Sequence, residues 1–229
     1  MTAIAANLQA VRDRIARAAR AAQRSPDDIV LLAVSKTIPA ERIAEAHAAG
    51  QQAFGENTVQ EAVEKITNLA GLPVLEWHFI GPIQSNKTGA IAAHFQWVHS
   101  VERGRVAERL NAARPEGLPP LNVCIQVNLS GEATKSGIAP GGEMELAEII
   151  SRLPRLKLRG LMAIPEPTSD VAQQRRRFAR LRSLKDGLVA RGHALDTLSM
   201  GMSDDFEAAI AEGSTIVRIG TAIFGTRKK

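Results

Sequence analysis

Tyrosine is absent from this 229-residue chain, and all aromatic residues together make up 3% of it. Stacking platforms for single-stranded nucleic acid are therefore scarce. There is one cysteine, Cys124, so no internal disulfide can form, and no charged-then-apolar leader opens the sequence. Together these point to a reducing, cytoplasmic setting. No apolar stretch approaches the roughly 20 residues of a membrane span, so a soluble chain with no membrane partner is expected. Several catalytic signatures are also missing. The sequence has no Walker loop, no G-x-G-x-x-G, no G-x-S-x-G and no H-E-x-x-H. One cysteine and five scattered histidines make no zinc site, so no metal is expected.

What is present can build a sizeable core: 45% of the residues are hydrophobic. A single domain over 1–229 is expected, with a leading helix within 1–28 and the body over 29–225. The net charge of +5 comes from arginine-heavy usage, 21 of the 29 basic residues. Much of it lies in one block, Arg175-Arg-Arg-Phe-Ala-Arg-Leu-Arg182. Such a block can contact nucleic acid, or it can be the solvated face of a helix whose Phe178, Leu181 and Leu184 point inward. The second reading is favoured, and no nucleic-acid partner is expected.

Ile4, Leu8, Val11 and Ile15 recur at helical spacing and predict an amphipathic opening helix. Short apolar runs then alternate with helical stretches. Strands are expected at 29–36, 52–57, 77–81, 97–101, 121–128, 158–164, 197–201 and 215–224. Helices are expected near 39–49, 58–70, 84–94, 103–113, 142–153, 169–191 and 204–212. Strict alternation implies parallel strands with crossover helices, and eight repeats in this length are the size of a (β/α)8 TIM-type barrel. An open doubly wound sheet often carries a glycine-rich first turn, whereas Ser35-Lys-Thr-Ile-Pro39 has no glycine. In a barrel, functional groups lie at the C-terminal ends of the strands. The polar residues there include Lys36, Glu56, Asn57, His78, His99, Asn128, Ser199, Ser203 and Arg218.

Lys36 closes the run Ile29-Val-Leu-Leu-Ala-Val-Ser-Lys36, which reads as a strand buried on both faces. Burial would lower its pKa and make the amine a nucleophile suited to a carbonyl cofactor. The alternative is a lysine just past the strand, pointing into water. Arg218 interrupts a β-branched run and needs a partner if buried. Gly220-Thr221 and the turn Leu198-Ser-Met-Gly-Met-Ser-Asp-Asp205, with Ser203 as an N-cap, would suit a phosphate. His78 is an acid–base group or a structural histidine. Asn57 and Asn128 are ligand donors or helix caps. Cys124 is mid-strand and expected to be a small core residue.

Seven strings recur together in one known family: Leu32-Ala-Val-Ser-Lys-Thr37, Phe54-Gly-Glu-Asn57, Trp77-His-Phe-Ile-Gly-Pro-Ile-Gln-Ser-Asn-Lys87, Lys135-Ser-Gly137, Arg159-Gly-Leu-Met162, Leu198 to Asp205, and Val217-Arg-Ile-Gly-Thr-Ala-Ile-Phe-Gly225. On these the chain resembles the pyridoxal-phosphate homeostasis proteins. The resemblance implies an alanine-racemase-like barrel (fold type III) with pyridoxal 5′-phosphate (PLP) held as a Schiff base on Lys36. It implies Arg218 facing the pyridine nitrogen, with Ser203, Gly220 and Thr221 about the phosphate. Ser199 and Gly201 would shape that loop, and Asn57 and His78 would line the pocket. The family handles the cofactor without established turnover, so a carrier is expected rather than an enzyme, with PLP-dependent apoenzymes as recipients. A PLP-dependent amino-acid racemase is the alternative. Related racemases use a tyrosine as second base, and here His78 or Cys124 would have to replace it. They also complete their sites across a dimer. Without the tyrosine, a monomer is expected.

Overall fold

The computed structural model describes residues 2–130 and 136–225. Lys135 lies outside them. Eight parallel strands form a closed barrel in sequential order, β1 (Val30–Val34), β2 (Ala53–Glu56), β3 (Glu76–Phe79), β4 (Trp97–Val101), β5 (Leu121–Gln126), β6 (Leu156–Met162), β7 (Thr197–Ser199) and β8 (Ile216–Ile219). Closure is made by β1 against β8, with Leu32 level with Arg218. The expected (β/α)8 barrel is the observed fold.

Helix α1 (Ala3–Ala21) precedes the barrel. Thr2 caps it by accepting from the Ala5 N–H, and Ile4, Leu8, Val11, Ile15 and Ala19 bury one stripe. The crossover helices are α2 (Ala40–Ala48), α3 (Val59–Asn68), α4 (Thr88–His94), α5 (Gly104–Ala113), α6 (Glu143–Ser151), α7 (Val171–Ala190) and α8 (Phe206–Ala211), with the short α9 (Thr221–Phe224) after β8. Helix α1 packs across α2, α8 and α9. The Asn7 amide donates to the Ile223 carbonyl at 2.9 Å, which joins the first helix to the last.

Alternation along the strands sorts the side chains into two sets. The larger core lies between sheet and helices and includes Ile43, Phe54, Phe79, Phe95, Phe178 and Phe206. A separate set, Leu32, Ala53, Trp97, Cys124, Met162 and Ile216, fills the lumen. Cys124 is fully buried there, as expected of a core residue.

The structure differs from the sequence reading at element ends. The last strand stops at Ile219, and residues 221–224 form α9 rather than strand. The Gly220 backbone has a helical ψ of −70°, and its carbonyl accepts from Ile223 and Phe224 at 3.0 Å each. Strand β1 ends at Val34, which puts Lys36 on the turn that follows. Its first residue, Val30, is 43% exposed, so the run is not buried throughout. Strand β6 begins at Leu156, two residues early. Ser203 does not cap α8. Asp205 occupies that position, and its carboxylate turns back to accept from the Met202 N–H at 2.6 Å.

Candidate functional site at the mouth of the barrel

The C-terminal ends of β1, β2, β3 and β8 open onto a cavity of about 430 Å³. Six of the nine sequence-predicted residues share its wall: Lys36, Asn57, Ser203, Arg218, Gly220 and Thr221. Ile38, Ile80, Met202 and Phe224 add apolar surface. His78, Ser199 and Gly201 do not line it. All three are buried, and His78 and Ser199 lie in the barrel interior below. A larger surface groove of about 770 Å³ lies between α1, α7 and α8, but no strand end contributes to it.

Lys36 is half-buried between two residues whose backbones are fixed from below. Ser35 donates its hydroxyl to Glu56 Oε1 at 2.6 Å. The Lys65 ammonium donates to the Ser35 carbonyl at 2.7 Å, to Glu56 Oε1 at 2.9 Å and to Glu61 Oε1 at 2.6 Å. Glu61 Oε1 also accepts from the Thr37 N–H. Thr37 has φ +64°, a left-handed conformation that costs a non-glycine residue energy and persists when its surroundings hold it. Burial pushes the Glu56 carboxyl above its ordinary pKa, opposed by the Ser35 and Lys65 hydrogen bonds. Sequence reasoning missed Lys65. Its one local signal is the (i, i+4) spacing to Glu61, which equally describes an exposed helix pair.

Arg218 is 4% exposed and is held by neutral oxygens. Its Nη1 donates to the Ser199 carbonyl at 2.6 Å and to Ser199 Oγ at 2.7 Å, and its Nη2 donates to the Ala163 carbonyl at 2.9 Å. Burial draws its pKa down to about 10, partly offset by Asp205. It stays a cation at neutral pH. Beneath it, Ser199 Oγ meets His99 Nδ1 at 2.8 Å, and His99 Nε2 meets His78 Nδ1 at 2.9 Å. Burial, then the charges of His78 and Arg218, hold His99 well below the usual histidine range. Burial also lowers His78, against the pull of Glu76. Both rings are neutral at pH 7.

Backbone approaches the cavity where side chains are excluded. A Cβ on Gly81 would stand 2.2 Å from the Asn57 carbonyl oxygen, and one on Gly220 would stand 3.2 Å from that of Val34. A half-buried amine, a buried cation and a glycine-lined wall thus converge on one space. These features suit an anionic carbonyl compound of modest size.

A family model described as the N-terminal domain of alanine racemase matches residues 6–228. The pyridoxal phosphate homeostasis protein of Pseudomonas aeruginosa is 63% identical over 227 residues, 99% of this chain and 97% of that one. The protein of the same name from Escherichia coli K12 is 57% identical over 229 residues, 99% and 98% of the two chains. The chain belongs to the pyridoxal phosphate homeostasis protein family. The structure of the family member PipY of Synechococcus elongatus PCC7942, with PLP bound, superposes with a TM-score of 0.85 at 38% identity, over 97% of this chain and all of that one. Alanine racemase from Corynebacterium glutamicum shares the fold at 18% identity, with a TM-score of 0.71 over 98% of this chain and 61% of that one.

Among the described residues no helix is long and apolar enough to cross a membrane. None of their His, Cys, Asp and Glu side chains gather into a group of three able to hold a metal ion.

Proposed function

We infer that this chain binds pyridoxal 5′-phosphate at the barrel mouth and serves its homeostasis, carrying or buffering the cofactor as a single-domain protein. The observation that carries this reading is the convergence of Lys36 and Arg218 on one cavity whose glycine-rich wall includes Gly220 and Thr221. When bound, the cofactor supplies an aldehyde that reacts reversibly with primary amines. Lys36 offers the amine for attachment, and the cluster of Glu56, Glu61 and Lys65 holds its turn in place. Arg218 would face the ring nitrogen. A guanidinium there would repel a second proton, keeping that nitrogen an acceptor and the ring a poor electron sink. Ser203, Gly220 and Thr221 would hold the phosphate, with Ser199 and Gly201 shaping the turn behind it. Asn57 stands at the wall beside Gly81. His78 would act from below, through Arg218.

The make-up of the cavity wall supports a carrier over a racemase. Racemisation needs a second base opposite the lysine, and this sequence has no tyrosine. The two candidate replacements are sealed away: His78 is 1% exposed, and burial pushes the Cys124 thiol up to about 12. The one carboxylate on the wall, among the described residues, is the exposed Asp204. The single buried cysteine suits a reducing, cytoplasmic setting. We assign PLP-dependent apoenzymes as recipients and a monomer as the working form. Nucleic acid has no role in this reading, because Glu166, Asp170 and Glu212 pair with arginines of α7.

The test is the absorption spectrum of the purified protein with added pyridoxal 5′-phosphate, before and after borohydride, followed by peptide mass. A near-visible band that disappears on reduction, with the adduct on Lys36, is expected. A protein that takes up no cofactor, or an adduct on Lys87 or Lys135, would overturn the assignment. Deuterium exchange at Cα of an amino acid would instead support the racemase.

A further inference from the structure

We propose that Glu76, at the opposite end of the barrel from the cavity, is a positioning residue for Arg218: its charge faces His78, from which a hydrogen-bonded chain runs up the lumen by way of His99 and Ser199. The effect on cofactor rests on the functional reading above, whereas the chain itself is a property of the protein alone.

Its links come from four strands. Glu76 starts β3 and His78 follows two residues later on the same face, His99 is on β4, Ser199 ends β7, and Arg218 is on β8. The separations are 3.5 Å from Glu76 Oε2 to His78 Nε2, 2.9 Å from His78 Nδ1 to His99 Nε2, 2.8 Å from His99 Nδ1 to Ser199 Oγ, and 2.7 Å from Ser199 Oγ to Arg218 Nη1. The first is the slack link. His78 Nε2 is buried and makes no hydrogen bond, and the charged group nearest it on this path is Glu76 Oε2.

The ends of the chain fix its direction. Arg218 can only donate, and an ionised Glu76 can only accept. Ser199 Oγ therefore receives the Arg218 proton and gives its own to His99 Nδ1. His99 Nε2–H then donates to His78 Nδ1, and His78 Nε2–H points at Glu76. Every group has one role, and both imidazoles are neutral Nε2–H tautomers. In the reversed chain His78 Nε2 would be bare and would face the Glu76 carboxylate lone pair to lone pair. The charge on Glu76 thus selects the direction, and through it the orientation of the Ser199 hydroxyl beneath Arg218.

Other groups near the path leave this selection in place. Trp97 stacks on His78 with ring centroids 5.4 Å apart and planes within 4°, and its Nε1–H donates to Glu76 Oε1 at 2.7 Å, the other carboxylate oxygen. Arg159 lies 4.7 Å over the Trp97 ring and pairs with Asp196, adding positive charge that favours ionised Glu76. At the top, Asp205 acts on Arg218 through its charge, and the Cys124 thiol nearby stays protonated.

The first test needs no variant. Nitrogen-15 NMR of the cofactor-free protein between pH 6.5 and 8 should show His78 and His99 protonated at Nε2 and bare at Nδ1. Glu76→Leu should move His99 toward the Nδ1–H tautomer, weaken cofactor binding and shift the absorption maximum of bound cofactor. Glu76→Gln carries no charge and keeps one acceptor, which the Trp97 indole N–H takes, so its amide would donate toward His78 Nε2 and should move the tautomer signals the same way as Glu76→Leu. A role limited to stability would lower the unfolding temperature of Glu76→Leu without moving the tautomer signals or the spectrum. That result overturns the proposal, as would a native His99 protonated at Nδ1. Failure of the native protein to take up cofactor would instead overturn the reading of the cavity, and it would be seen before any variant is made.

Discussion

At the scale of single residues, the site depends on groups that touch no cavity. Lys65 is 6% exposed and carries three hydrogen bonds, two to carboxylates and one to the carbonyl just before Lys36. Lys65→Met would strand Glu56 without its counter-charge in a buried site. We expect a loss of about 3–5 kcal/mol in urea unfolding, the range for breaking a buried pair, and slower attachment of cofactor at Lys36. A variant as stable as the native protein would show that Glu56 is held neutral without its lysine. Gly81→Ala places a Cβ where the Asn57 carbonyl stands, so cofactor affinity should fall along with stability. A binding titration checks the first and thermal unfolding the second. Lys36 and Arg218 were legible in the sequence because one closes an apolar run and the other interrupts one, where a charge requires a reason. Lys65 was not. On its own helix it looks like an ordinary partner for Glu61, and only the folded chain brings it under Ser35.

At the scale of elements, the strands and helices were legible from periodicity, and their ends were not. β-branched residues at 215–224 resemble one long strand, yet the Gly220 backbone turns the chain and the last four residues coil. The same effect hid the true cap of α8, since Ser203 and Asp205 are both good caps by type and only backbone geometry separates them. Helix α7 shows patterning that was read correctly. Phe178 and Leu181 are buried and Leu184 packs against the core, while Arg175 and Arg182 both reach Glu212, at 2.7 and 2.8 Å. Phe178→Ala should cost about 3–5 kcal/mol in denaturant unfolding. Arg180→Ala, on the exposed face, should change stability by no more than about 0.5 kcal/mol. A large effect at Arg180 would mean that the helix face is engaged elsewhere.

At the scale of the whole molecule, the two lumen histidines set the acid side of stability. Burial lowers both His78 and His99 from the ordinary value of 6.5. The unfolded chain therefore takes up protons first as pH falls, so stability is full above about 6.5 and is lost as pH drops through the lower folded values. The melting temperature should decline between pH 7 and 5, and His99→Gln should flatten that decline. A native protein with a flat profile over this range would contradict it.

The closure of β1 against β8 has a consequence for how the protein is born. Lys36 precedes Arg218, Gly220 and Thr221 by almost the whole barrel, and the Asn7 bond to Ile223 joins residues 216 positions apart. Such long-range contacts form late in folding. No fragment that stops short of β8 carries both the amine and the cation, so a site able to load cofactor waits on the last strand. Until that closure the chain holds an amine without its cation, and afterwards it is an empty acceptor for whatever free aldehyde surrounds it.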